Sequence, residues 1–260
     1  MSNVSAEPRS LPSNQLPKPD GKPVLRAEWR HLAMINYEID PKVVEPLAPA
    51  GTEIDFWEGK TYVSMVGFLF LNTRIFGMPI PWHINFEEVN LRFYVRRKGP
   101  EGWRRGVVFV RELVPRWAIA FVARKLYAEK YWSTKMSYAI SPSKESSPPE
   151  KATYRWDWRG KPYLMTLQSS DEPIVPEEGS QPQFIAEHYW GYSAQPNGTT
   201  KEYRVDHPTW RVSPASFAKF EGDYAHLYGD EFAEALSEQP ASAFWAKGSE
   251  VSVYQGIRLG

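Results

Sequence analysis

Residues 82–140 hold a pattern that few folds accommodate: a strand with one greasy and one chemically equipped face, a second strand, an apolar run, and a third strand. Strand side chains alternate with a period of two, so Val89, Leu91, Phe93 and Val95 fall on one face and Glu88, Asn90, Arg92 and Tyr94 on the other. A second strand is expected from Val107 to Leu113. The run Trp117 to Ala123 is too uniformly apolar for a surface helix and reads as a buried one. It ends in Arg124, Lys125 and Tyr127, and a third strand starts near Tyr131.

What surrounds this stretch is predicted to be mostly strand. Residues 1–23 are rich in Pro, Ser and Asn without periodicity and read as a flexible tail; residues 24–260 are expected to form a single domain. Arg26 to Ile39 reads as a strand with some helical character at its start. Asp40 followed by Pro41 opens a short helix to about Leu47, with Asp as N-cap and Pro at the first helical position. Glu53 to Leu71 reads as a hairpin about Glu58 and Gly59, its second strand apolar on both faces and therefore central. A loop is expected over Asn72 to Pro81, and a surface connection over Ser141 to Glu150. Thr153 to Trp158 and Tyr163 to Leu167 form a second hairpin turning at Arg159 and Gly160. Gln183 to Trp190 reads as a short helix, Tyr203 to Val212 as strand, Phe217 to Leu236 as helix in pieces, and Val251 to Ile257 as a closing strand. The fold class is therefore mainly β (α+β): a closed or strongly curled antiparallel sheet with a few packed short helices.

Composition removes several function classes. Acidic and basic residues balance at 31 each, so no net field favours nucleic acid or an anionic membrane surface. The chain has no cysteine, which excludes disulfides, thiolate metal sites and cysteine nucleophiles together. No N-terminal stretch has a signal-peptide layout and no run approaches 18 apolar residues, so a cytoplasmic protein without membrane partners is expected. The eleven Trp and fourteen Tyr suit both a core and the wall of a concave site.

No G-x-S-x-G, H-E-x-x-H, phosphate loop or dinucleotide fingerprint is present. His31, His83, His188, His207 and His226 lack metal-ligand spacing, so no metal and no cofactor is expected, and His207 reads as a hydrogen-bonded structural imidazole. The polar face of Asn90, Arg92 and Tyr94 is more telling. These are not the Lys, Glu and Thr of a wet strand, and they lie beside a strand ending in Glu112. Arg, Asn and Tyr can hold a carboxylate or carbonyl oxygen, Arg through a planar two-pronged contact.

Three segments, Trp29 to Pro49, Phe86 to Val95 (FEEVNLRFYV) and Ala123 to Met136 (ARKLYAEKYWSTKM), resemble the YqjF-like proteins, domain of unknown function 2071. That resemblance implies the fold of the acetoacetate decarboxylase-like group, a closed, cone-like antiparallel β-barrel whose catalytic lysine forms a Schiff base with a β-keto acid. The decarboxylase pattern, roughly R-x-x-x-G-x-P-K-K, falls here on Arg124, Ala128, Lys130, Tyr131 and Trp132, so tyrosine stands where the reactive lysine would be. Lys130 is one position away, and Lys135 lies about 13 Å further along a strand.

The sequence thus predicts an internal pocket for a small carboxylate- or carbonyl-bearing ligand. Asn90, Arg92, Tyr94, Arg124, Tyr127 and Trp132 are its expected binding groups, and Tyr131 or Glu112 the acid or base of lyase- or isomerase-like proton chemistry. A non-catalytic binding protein fits the same residues. An interaction module using exposed aromatics is the remaining reading, and assembly into a homo-oligomer is compatible with all three.

Overall fold

A computed structural model describes residues 16–19, 21–81, 83–115, 130–141 and 151–259. The expected buried helix at 117–123, residues Arg124 and Tyr127, most of the 141–150 connection and the first fifteen residues of the tail lie outside them.

Long strands dominate. β1 (Leu25–Ile39), β2 (Glu53–Ile54), β3 (Thr61–Ile75), β4 (Met78–Pro79), β5 (Phe86–Gly99) and β6 (Gly102–Val114) are followed by β7 (Tyr131–Ser133) and β8 (Met136–Ile140). Then come β9 (Lys151–Trp158), β10 (Lys161–Ser169), β11 (Trp190–Ala194), β12 (Thr200–Asp206), β13 (Val212–Glu221), β14 (Ser242–Val253) and β15 (Ile257–Leu259). Among the described residues four short α-helices intervene: α1 (Pro41–Val44), α2 (Gln181–Ala186), α3 (Tyr224–Tyr228) and α4 (Asp230–Ser237).

Pairing runs β12–β11–β6–β5–β3–β1–β14 and returns to its start, because β12 also pairs with β14 through Val205↔Val253 and Asp206↔Ser252. These strands make a ring. β13 leaves it from β14 and leads into β10, β9 and β8, which form a second layer. Val89, Leu91, Phe93 and Val95 lie in one core cluster with Tyr154, Trp156, Met165 and Leu167 of that layer. A second cluster, with Met34, Val66, Phe68, Phe86, Tyr94 and Phe184, lies on the opposite face of the ring strands. Every residue of β5 from Phe86 to Val95 is buried, so its polar face is enclosed.

Close packing depends on two local devices. His31 adopts a positive φ of 56° and slips the β1–β3 register between Arg30 and Ala33; its carbonyl accepts from the Tyr154 hydroxyl at 2.7 Å. Gly67 of β3 lies under the same ring, where an added Cβ would come within 2.5 Å of Tyr154 Cδ2.

Several expectations hold. Asp40 caps α1 by accepting from the Lys42 N–H, β3 is central between β1 and β5, and β9 and β10 turn at Arg159 and Gly160. Others need correction. β1 is strand from Leu25 onward, without helix. β2 does not form a hairpin with β3: it pairs with β5, through Glu53↔Arg96, because only the single bridge Trp57↔Lys60 closes the intervening turn. The expected loop at 72–81 contains the end of β3 and β4, which pair with each other. Residues 217–221 are strand, paired with β10, and the helices begin only at Tyr224. The α2 helix stops at Ala186, before His188. The closing strand is β14, which starts at Ser242. The sheet is not wholly antiparallel either, since β6 pairs in parallel with both β11 and β7. No helix of the described residues is long and apolar enough to cross a membrane.

Candidate functional site

Register explains how the enclosed polar groups meet. Directly opposed residues of a ladder share a face. Asn90 of β5 is opposite Glu112 of β6, and Glu112 is in turn opposite Tyr131 of β7. A slip in the β5–β6 ladder between Leu91 and Arg92 sets Arg92 opposite Phe109. On the other side of β5, Phe68 and Val66 of β3 face Glu88 and Asn90. Three neighbouring strands thereby gather Glu88, Asn90, Arg92, Glu112 and Tyr131 on the wall of one cavity of about 120 Å³. The rest of the wall is largely apolar and aromatic, including Trp29, Phe86, Trp210 and Tyr203.

Glu88 is the centre of the polar group. One carboxylate oxygen accepts from Asn90 Nδ2 and the other from the Tyr131 hydroxyl, both at 2.9 Å. Its side chain is 1% exposed, and burial pushes its pKa from the ordinary 4.5 to about 7 against the opposing pull of Asn90, Tyr131 and the Arg92 charge. Burial, with Glu112 and Glu88 close by, holds the Tyr131 phenol well above its usual range, so it serves as a hydrogen-bond donor.

Arg92 donates from Nη2 to the Ile185 carbonyl at 3.3 Å, near the C-terminal end of α2, where carbonyls lack helical partners. Its Nε and the Oδ1 of Asn90 have no protein partner among the described residues, although both residues are more than nine-tenths buried. Buried polar atoms are nearly always satisfied, which sets this donor and this acceptor apart from the rest of the cavity wall.

Two histidines complete the lining. His207 stacks on Trp210 with ring centroids 4.1 Å apart and its Nδ1 lies 2.9 Å from the Pro208 carbonyl; burial lowers its pKa to about 4. This is the hydrogen-bonded imidazole expected from sequence, placed on the cavity wall. His188 sits against Tyr94, ring centroids 4.6 Å apart, and burial with the Arg105 and Arg92 charges holds it neutral.

Of the residues singled out by sequence, Asn90, Arg92, Glu112 and Tyr131 come together on the cavity wall. Tyr94 shares their strand face but is not on the wall; its hydroxyl lies 2.5 Å from Ser64 Oγ, which in turn donates to Asn36. Trp132 is 43% exposed and packs edge-on against Trp158. No described lysine lines the cavity, and Lys130 and Lys135 are exposed. Glu88, His188 and the aromatic wall were missed. Glu88 had a legible signal, since it precedes Asn90 by two residues on the same alternating face. The histidines had none, because they arrive from the far side of the ring. No cluster of metal-ligand side chains occurs among the described residues.

Comparison with known proteins places this geometry in context. Residues 26–250 match the family DUF2071, described as an uncharacterized conserved protein. The uncharacterized protein YqjF of Bacillus subtilis (strain 168) is 34% identical over 85 residues, which is 32% of this chain and 35% of that relative. The chain thus spans about a third of the length of the curated relative it matches. Acetoacetate decarboxylase of Legionella pneumophila superposes with a TM-score of 0.66 at 12% identity, over 95% of this chain and 94% of that one. The enduracididine biosynthesis enzyme MppR, solved with the condensation product of pyruvate and imidazole 4-carboxaldehyde, gives a TM-score of 0.67 at 11% identity, over 92% and 90%. At those identities the likeness is one of fold.

Proposed function

The chain belongs to the DUF2071 family, and from that premise we propose that its cavity takes up a small molecule bearing a carbonyl or carboxyl group. The polar end of that molecule meets Glu88, Asn90, Arg92, Glu112 and Tyr131, and its apolar part lies against the aromatic wall. On this reading the ring of strands is a closed barrel of the acetoacetate decarboxylase type. The observation that carries it is the unmatched pair, Arg92 Nε and Asn90 Oδ1, buried at the polar end of a cavity whose remaining wall is largely apolar and aromatic. Size agrees: an apolar cavity of about 150 Å³ holds benzene, so about 120 Å³ suits a keto acid such as pyruvate, which is found in a complex of MppR.

The chemistry this arrangement supports is proton transfer without a Schiff base. A group titrating near neutrality is poised as general acid and base. With an uncharged carbonyl ligand, Glu88 as carboxylate accepts a proton from the carbon next to the carbonyl. The C–H electron pair then forms the enolate, and the charge arriving on oxygen is met by the Arg92 guanidinium. Tyr131 and Asn90 hold the carboxylate in place; the phenol is too weak an acid to act as base itself. The absence of a described lysine from the wall equally favours a binding protein that performs no reaction.

Thermal melting with pyruvate and acetoacetate, followed by borohydride treatment, tests this reading. Ligand at a hundredfold excess over its dissociation constant stabilises by about 2.7 kcal/mol, and an Arg92→Leu variant should lose that gain. Solvent deuterium entering the methyl group of pyruvamide, the uncharged counterpart of pyruvate, separates an enzyme from a binder. A borohydride-trapped lysine adduct, or wild-type binding by Arg92→Leu, would overturn the proposal.

A further inference from the structure

Hydrogen-bond bookkeeping at Glu88 carries the reading of this cavity one step further. Among the described residues, the carboxyl groups of Glu88 and Glu112 and the Arg92 guanidinium line it. Ionised Glu88 is fully matched, because both oxygens accept, one from Asn90 Nδ2 and one from Tyr131. In that state Asn90 offers its Oδ1, an acceptor, to any ligand, next to the Arg92 Nε donor. An acceptor repels a carboxylate. A protonated Glu88 is itself a donor and needs an acceptor. The terminal torsion of asparagine has two nearly equivalent settings, so turning the amide over satisfies it. The turned amide leaves Nδ2 where Oδ1 had been, and the cavity then shows two donors from adjacent same-face residues of one strand.

Resting on the reading of the cavity given above, we propose that the ligand is a carboxylic acid taken up as its anion together with one proton, which Glu88 holds. The Asn90 amide turns over as this happens, so that Nδ2 and the Arg92 guanidinium both donate to the ligand carboxylate.

The groups that face Glu88 set how this responds to pH. On its own strand these are Asn90 and Arg92; from β6 comes Glu112, from β7 Tyr131, and from β3 only the apolar Phe68 and Val66. Tyr203 of β12, His188 and His207 complete the surroundings. Burial lowers both imidazole pKa values and raises those of Tyr131 and Glu88, and of these four groups it is Glu88 that comes to titrate near neutrality.

The test is calorimetric titration of the full chain with pyruvate, with acetate, and with pyruvamide as the uncharged counterpart. At pH 8, pyruvate and acetate should bind with uptake of close to one proton, seen as different heats in phosphate and Tris. Their dissociation constants should rise about tenfold for each pH unit above the Glu88 midpoint, while that of pyruvamide stays level. Glu88→Gln carries a permanent donor at this position, and its affinity for pyruvate should be independent of pH between 6 and 8.5. Pyruvate binding without proton uptake, uptake that persists in Glu88→Gln, or binding of pyruvamide alone would overturn this inference and leave the cavity assignment standing. Failure of all three probes would overturn both.

Discussion

Replacing Glu88 by glutamine should stabilise the protein, and by an amount that depends on pH. In the unfolded chain Glu88 titrates at its ordinary 4.5, and in the fold at about 7. The folded state therefore binds the proton more tightly. Stability associated with it is fully present below 4.5 and is lost as pH rises through 7. The difference of about 2.5 units corresponds to about 3 kcal/mol at about 1.36 kcal/mol per unit. The group is buried, so solvent screening does not reduce that figure appreciably. Glutamine keeps the shape, accepts from Tyr131 through its carbonyl, and donates to a turned Asn90. It carries none of the charge whose desolvation dominates the shift. The expected outcome is near equality with wild type at pH 4 and an advantage of about 3 kcal/mol at pH 8.5, or roughly 6–12 °C in melting temperature for a chain of this size. Melting curves of both proteins at half-unit pH steps measure it directly. A difference between the two that does not vary from pH 5 to 8.5 would refute the argument, because it would mean that Glu88 titrates alike folded and unfolded.

Two further outcomes follow from packing and charge. Gly67→Ala places a methyl group within 2.5 Å of the Tyr154 ring, and overpacking of this kind costs about 1–3 kcal/mol; the loss should show in urea denaturation and shrink when Tyr154 is also reduced to Leu. His207, lowered to about 4 by burial, should remain neutral down to pH 5, with imidazole proton shifts constant from pH 8 to 5.5; a titration near 6.5 would show that the stack on Trp210 does not bury it.

How much of this was legible beforehand varied with the kind of information each feature needs. The two faces of β5 were readable because alternation is local, and both faces proved to be in contact with core. The caps were local too: Asp40 and Pro41 announce α1 without reference to anything distant. β2 was misread because a turn at Glu58 and Gly59 looks like a hairpin from sequence, whereas the partner of β2 lies some forty residues on. β13 was misread because Phe217 to Phe220 fits a helical period as well as a strand one, and pairing with β10 decides between them. The candidate site divides in the same way. Asn90, Arg92, Glu112 and Tyr131 share one region of sequence and were found together. Glu88 lay on the same face but was passed over, as one of the charged residues that usually mark a wet surface. His188 and His207 enter from later strands and loops, and only the ring closure brings them within reach.

That closure has a consequence for how the molecule is made. Val253 and Ser252 complete the ring against Val205 and Asp206, while β14 also pairs along most of β1. β1 meets β3 early, but its second neighbour, β14, joins residues as far apart as Leu25 and Val253, and contacts this distant in sequence form slowly. Until the ring closes, the Glu88 carboxyl group stays in water and escapes the desolvation that raises its pKa in the fold. Desolvation of the site thus waits on the closure of the ring, as does the completion of both hydrophobic layers, to which β14 contributes Trp245 and Phe244.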